Sequence, residues 1–159
     1  EKFIPPKKGR SHTLRIIREL IEFKPQHKGT DVSGSLKFLN NVIKKRSIAF
    51  LISDLMDQGY DDAIKIANRK HDLVVLRTSD PREQELPNVG LVQFTDPETG
   101  DTRWVDTGNK RIRAHYRAEA LKHQARTRDI LRRAGVDSAV IGTREGFVRP
   151  LMNLFRRRD

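Results

Sequence analysis

Three short apolar runs limit what this chain can fold into: SIAFLISD (residues 47–54), HDLVVLRTSD (residues 71–80) and SAVIGT (residues 138–143). Each is too short for most helices and lacks the polar–apolar alternation of a half-buried strand. They read as strands buried on both faces, as inside a parallel sheet, and they should be parallel neighbours in one sheet. Two of them end in an acid, Asp54 and Asp80, at the strand ends where α/β folds place ligand sites.

Helical patterns separate the runs. Leu14, Ile17, Leu20 and Ile21 recur at helical spacing behind Ser11, which is placed to cap them. FKPQHKGT breaks that pattern at Pro25 and Gly29, and Val32, Leu36, Leu39 and Ile43 then form a second apolar stripe. YDDAIKIANRK, after Gly59, is a short helix with Asp61 and Asp62 at its positive end. Residues 109–135 form a long basic helix with Ile112, Tyr116, Leu121, Ile130 and Leu131 inward and Gly135 as its C-cap. GLVQFTDPETGDTRWVDTG alternates on either side of DPETGD, which predicts a β-hairpin. Phe3 and Ile4 read as a strand end before a Pro and Gly loop, and FVRPLMNLFRRRD closes the chain. The predicted class is α/β: a three-layer sandwich with a mostly parallel central sheet and an added β-hairpin.

At 159 residues there is room for one core, and 36% hydrophobic against 33% charged residues implies a modest core under a heavily solvated surface. The net charge of +11 favours polyanions, acidic proteins or acidic lipid as partners. The absence of cysteine excludes disulfides and thiolate metal sites and fits a reducing, cytoplasmic setting. No apolar run reaches membrane-span length, and no signal peptide is visible. The first residue is Glu1, not Met, which predicts a fragment or processed product.

Asp31, Ser33 and Ser35 stand in the order D-x-S-x-S, an arrangement that can supply oxygen ligands to a divalent cation. Such a site needs a buried strand before it, and KPQHKG is not one. Asp31 or Thr30 instead precedes a helical stripe, where its oxygen can cap free N–H groups. Capping is the reading for this stretch.

Taken in order, FIPPKKGRSHTLRIIREL, GTDVSGSL, LISDLMD and HDLVVLRTSDPREQELPNVG resemble the bacterial family named domain of unknown function 58. The likeness continues through the hairpin and WVDTGNKRIRAHY to nearly the whole chain. The middle of it resembles a von Willebrand factor A-like domain, and the resemblance implies one partial domain of that kind over residues 1–159, lacking the first strand. It implies that Thr30 is the loop threonine and Asp54 the strand-end aspartate of a metal-ion-dependent adhesion site. The main D-x-S-x-S of that site would lie upstream, so no cofactor is expected in this fragment, and Mg²⁺ or Mn²⁺ only in the full-length protein. It further implies a protein-binding adaptor, not an enzyme, associated with a MoxR-type AAA+ ATPase. Thr30 and Asp54 should meet at the carboxyl edge of the sheet, and loss of the first strand should leave an open edge that favours self-association.

The remaining signals are weaker. Asp80 reads as a cap. His12, His27, His71, His115 and His123 show no metal-ligand spacing. No nucleophile elbow surrounds Ser33 or Ser35, and no phosphate-binding P-loop is present. The basic helix makes a nucleic-acid-binding domain the alternative function, ahead of a metal-dependent enzyme, although it has density without a recognised motif. Trp104 reads as a packing anchor.

Overall fold

The computed structural model describes residues 2–25, 29–96 and 100–158. His27 and, from the predicted hairpin segment, Pro97, Glu98 and Thr99 lie outside the described residues, as do Glu1, Gln26, Lys28 and Asp159. In chain order the elements are α1 (Arg10–Glu22), α2 (Val32–Val42), β1 (Ile48–Ser53), α3 (Asp61–Lys70), β2 (Asp72–Ser79) and α4 (Pro81–Gln84). They continue with β3 (Leu91–Thr95), β4 (Thr102–Asp106), α5 (Lys110–Arg133), β5 (Asp137–Gly142) and α6 (Val148–Arg156). The chain divides into two compact units, Glu1–Gly29 with Asp96–Asp101, and Thr30–Thr95 with Thr102–Asp159.

The larger unit is built on β2. It lies between β1 and β5 and runs parallel to both, with Phe50 opposite Val74 and Leu76 opposite Ala139. The expectation of three parallel neighbours holds, and the class is α/β. Because successive side chains of a strand point to opposite faces, Leu73 and Val75 face one layer and Val74 and Leu76 the other. On the first face Leu73, Val75, Ala49 and Leu51 meet Val32 and Leu36 of α2, Ile64 and Ala67 of α3, and Leu131 of α5. On the second face Val74, Leu76, Ala139 and Ile141 meet Leu154 of α6. Each fully buried Leu or Val side chain contributes about 1.5–3 kcal/mol.

Burial on both faces is reached only in the middle strand. In β1, Ile48, Phe50 and Ile52 are 65%, 48% and 66% exposed. The nine-residue α6 packs Leu154 on β2 and β5, and its Phe155 meets Phe50 of β1 edge to face at 6.4 Å between ring centroids. At the other edge, Val140 of β5 is 51% exposed.

The termini of the elements are locally determined. Helix α5 starts at Asn109, whose side chain accepts the Arg111 N–H at 2.9 Å. It ends in a Schellman turn in which Val136 N–H donates to the Leu131 carbonyl at 3.0 Å and Gly135 N–H to that of Arg132 at 3.1 Å. Gly135 has φ +63°, which a residue without a Cβ adopts at little cost, and Val136 and Leu131 are both buried in the core. Asn68 of α3 fastens the same turn, donating to the carbonyls of Ala134 at 2.9 Å and Gly135 at 3.1 Å. At this same end of the sheet, Arg158 pairs with Asp72 at the start of β2 and Asp137 at the start of β5. Thr107, fully buried, donates from Oγ1 to the Gly90 carbonyl at 2.7 Å and accepts the Val89 N–H at 3.1 Å, closing the base of the β3–β4 hairpin.

Besides the burial of the outer strands, four expectations are corrected. Helix α1 begins at Arg10 with Gly9 as N-cap, so Ser11 lies inside the first turn and caps nothing. Residues 2–8 form no strand, consistent with Pro5 and Pro6, which lack the N–H a ladder needs. Leu121 points to solvent, because the inward line of α5 passes through Tyr116, Thr127 and Leu131. Trp104, in a two-stranded ribbon with no second layer, is 66% exposed and anchors no core.

In the smaller unit, α1 buries none of its residues, and Leu20 and Ile21 are exposed. The Lys2 ammonium pairs with Glu19 and lies 5.4 Å from the centre of the Phe23 ring. Asp96 N–H donates to the Asp101 carbonyl at 2.8 Å.

His71, the C-cap of α3, is fully buried, and neither ring nitrogen has a hydrogen-bond partner among the described residues. Burial, reinforced by Lys70, holds its imidazole below its usual range. The unfolded chain therefore takes up this proton at higher pH than the folded one. The contribution is neutral above about pH 6.5, and stability falls as pH drops through and below that value. Urea unfolding should show the midpoint declining from pH 7.5 to 5.5. His71→Leu should keep or raise the midpoint at pH 7.5 and flatten that decline, since it removes two unpaired polar atoms. A His71→Leu variant with an unchanged slope would contradict this account of the decline.

Candidate functional site

The residues singled out from the sequence gather at the carboxyl end of the parallel sheet, within the larger unit. Asp54 follows the last residue of β1, and Thr30 stands one residue before Asp31, the N-cap of α2. One hydrogen bond draws the two loops together: the Val32 N–H at the start of α2 donates to Asp57 Oδ2 at 2.9 Å. Thr30 is thus two residues from one side of this bond and Asp54 three from the other.

Asp31 works as a helix cap. Its Oδ1 accepts the Gly34 N–H at 2.7 Å, and its carbonyl accepts from Ser35 Oγ at 2.8 Å. Gly34 leaves room for this, since a Cβ there would collide with the Asp31 carboxylate. The D-x-S-x-S order is therefore the opening of a helix, as its sequence context predicts.

The loop after β1 is tightly specified. Leu55 has φ +58°, the only positive φ at a non-glycine residue among those described, and its side chain is completely buried. A left-handed backbone at such a residue costs on the order of 1–2 kcal/mol, which burial of the leucine offsets. The turn is held by the Leu55 N–H on Ser53 Oγ at 3.0 Å, the Met56 N–H on Asp54 Oδ1 at 3.2 Å, and Tyr60 Oη on the Leu55 carbonyl at 3.4 Å. Tyr60 also meets Thr127 of α5 at 3.4 Å, and burial raises its phenol above the usual range. Asp54 thus sits on a fixed loop, with Oδ1 committed to the backbone.

Asp80 caps α4, accepting the Arg82 N–H at 2.8 Å, and takes a hydrogen bond from Thr143 Oγ1 at 2.6 Å. The Thr143 bond foremost, then that of Arg82, lowers its carboxyl from the usual range. Its place is that of a cap joining the ends of β2 and β5.

Two residues of this edge escaped sequence reasoning. Asp57 is one, and its signal was an acid three positions beyond the strand-end aspartate. Arg77 is the other, the cation that interrupts LVVLRTS. It stands beside Ser53 in register on the helix-covered face, and burial lowers its guanidinium from the usual range, opposed by Glu83.

Thr30 and Asp54 offer a hydroxyl and a carboxylate, the hard oxygen donors that Mg²⁺ or Mn²⁺ takes. They are two, against the six such cations usually take, and no group of three or more His, Cys, Asp or Glu side chains is suited to a metal among the described residues. These donors fit part of a site in kind and fall short of one in number.

The basic helix is partly committed to the chain itself. Arg117 pairs with Glu85 at 3.3 Å, Lys122 with Glu119 at 2.7 Å, Arg133 with Asp129 at 2.7 Å and Arg132 with the same carboxylate, while Arg113 binds the Thr107 carbonyl. No helix among the described residues is long and apolar enough to cross a membrane.

Removing either cap of α2 should be measurable. Asp31→Ala and Asp57→Ala should each lower stability by about 1 kcal/mol in urea unfolding, with or without added Mg²⁺, while Ser33→Ala stays within about 0.5 kcal/mol. A Mg²⁺-dependent loss at Ser33 would restore the metal reading of D-x-S-x-S.

Comparison with known proteins gives a family and distant relatives. The family described as "Protein of unknown function DUF58" matches residues 1–126. An uncharacterized protein of Mycobacterium avium is 23% identical over 158 residues, covering 98% of this chain and 93% of its own length. Uncharacterized proteins of Mycobacterium bovis and Mycobacterium tuberculosis are 24% identical over 135 residues, covering 83% of this chain. The chain spans 42% of the length of those two relatives. No solved structure matches.

Proposed function

The chain belongs to the family of proteins of unknown function DUF58, and from that membership we propose that it is a protein-interaction or adaptor module, not an enzyme, working with a MoxR-type AAA+ ATPase. The observation that carries this reading is the β1 side of the sheet. Asp72 N–H bonds the Ser47 carbonyl at 2.9 Å, so odd-numbered residues of β1 face β2 and the backbone of Ile48, Phe50 and Ile52 faces outward. The side chains of the same three residues are exposed. An open edge with an apolar face accepts an added strand through main-chain hydrogen bonds and burial together.

The finer identity of the fold is part of the proposal. A von Willebrand factor A-like domain is supported by the parallel order β1–β2–β5 and by Asp54 at the end of the edge strand. In that reading an upstream strand of a longer protein occupies the β1 edge and carries the D-x-S-x-S that joins Thr30 and Asp54. A Mg²⁺ or Mn²⁺ ion there would supply an electrophilic point for a partner's carboxylate. This chain's residues contribute two oxygens and the rigid loop that holds one of them. In isolation the same edge favours self-association.

Calorimetry with Mg²⁺ and Mn²⁺ should show weak or no binding to this chain. A longer protein containing the upstream strand should bind, and Asp54→Ala should abolish that binding. Ile52→Glu in this chain should reduce self-association measured by sedimentation, because it places a charge on the exposed apolar face. Tight metal binding by this chain that survives Asp54→Ala and is lost with Asp31→Ala would overturn the assignment. Salt-steep binding to generic duplex DNA would favour the nucleic-acid alternative.

A further inference from the structure

The opposite edge of the sheet carries a second surface. Thr143 N–H donates to the Ser79 carbonyl at 3.0 Å, and Gly142 is the register partner of Ser79. Residues 139, 141 and 143 therefore direct their backbone toward β2, and Ser138, Val140 and Gly142 direct theirs away from the sheet. β5 is the last strand on this side. Its outward backbone borders a groove of about 1070 Å³ between the strand and α6.

The lining of that groove is strongly one-signed. Arg149 and Arg156 of α6 and its C-cap Arg157 line it, against a single acid, Glu145. Arg157 is only loosely engaged, with Nη2 3.5 Å from the Ser138 carbonyl and Nε 3.2 Å from that of Asn153. Arg149 and Arg156 form no ion pair among the described residues, whereas Arg158 next in the chain is committed to Asp72 and Asp137.

We propose that the β5 edge binds an extended acidic segment of a partner protein as a fourth strand, its main chain on Val140 and its carboxylates on Arg149, Arg156 and Arg157. The strand period matches the two surfaces. Alternate side chains of an added strand would point toward α6, where acids meet the three guanidinium groups, and the intervening ones would point to the side of Val140, which is half exposed and apolar. Alternating acidic and β-branched residues are the sequence this groove selects. The proposal rests on the interaction-module reading but on a different surface from the Thr30–Asp54 edge.

The test is fluorescence anisotropy with a labelled, capped six-residue peptide of alternating valine and glutamate. The complete chain should bind it. Arg149→Ala with Arg156→Ala, both exposed positions, should weaken binding roughly tenfold. Val140→Pro should weaken it about fivefold by removing one outward N–H while sparing the β2–β5 ladder. Asp54→Ala should leave the affinity unchanged, so failure here and failure of the metal-edge reading are separable. Should Val140→Pro not fold by circular dichroism, a peptide N-methylated at its valines replaces it, with the same loss expected. No binding at millimolar peptide would overturn the proposal. So would an affinity indifferent to the loss of the main-chain donor, or displacement by a 12-base-pair DNA duplex at equal charge, either of which makes the groove a general anion surface.

Discussion

Strand β2 must bury both of its faces at once, and the larger unit is organised around that requirement. Leu73 and Val75 demand a layer on one side and Val74 a layer on the other, all three at 0–1% exposure. The first demand is met by α2, α3 and α5, and the second by α6 alone. The inequality of these two layers has a direct result. The face under α6 leaves Ile48 and Ile52 largely exposed on β1 and Phe50 half exposed beside Phe155. A three-stranded parallel sheet also has two unpaired edges, and parallel sheets occur almost only with both faces covered. Both proposed surfaces follow from this one constraint.

The carboxyl edge holds the two oxygen donors of the proposed site on tightly specified loops. Leu55 is locked into a left-handed conformation by burial of its side chain and by Ser53, so the Asp54 loop has little freedom to rearrange. The bond from Val32 to Asp57 fixes the neighbouring loop that carries Thr30. All four acids of this region accept backbone N–H groups: Asp31 and Asp80 as helix caps, Asp54 within its own turn and Asp57 at the start of α2.

Much of this was legible in the residues. The three apolar runs point to the parallel sheet because they are too short for most helices and lack alternation, and Gly135 marks the end of α5, where it takes the Schellman geometry. Asp31 was readable as a cap from the absence of a strand before it. What escaped was set by partners distant in sequence. The exposure of Ile48 and Ile52 depends on how far α6 reaches, which no residue of β1 encodes. Leu121 is as apolar as Leu131, and only the course of α5 over the sheet separates them. Arg77 and Asp57 acquire meaning from the loops that fold beside them. Trp104 followed the prior that large aromatics are buried, and it stands instead on a ribbon without a second layer.

Amide hydrogen exchange on the complete chain tests most directly the claim that this is a parallel three-stranded sheet open at both edges. Protection should be strongest through β2 and should alternate in the outer strands. Ala49, Leu51, Ala139 and Ile141 should exchange slowly, while Ile48, Phe50, Ile52, Ser138 and Val140 exchange fast. Uniform protection along β1 and β5, in a sample shown by sedimentation to be monomeric, would contradict the open edges and the functional account built on them.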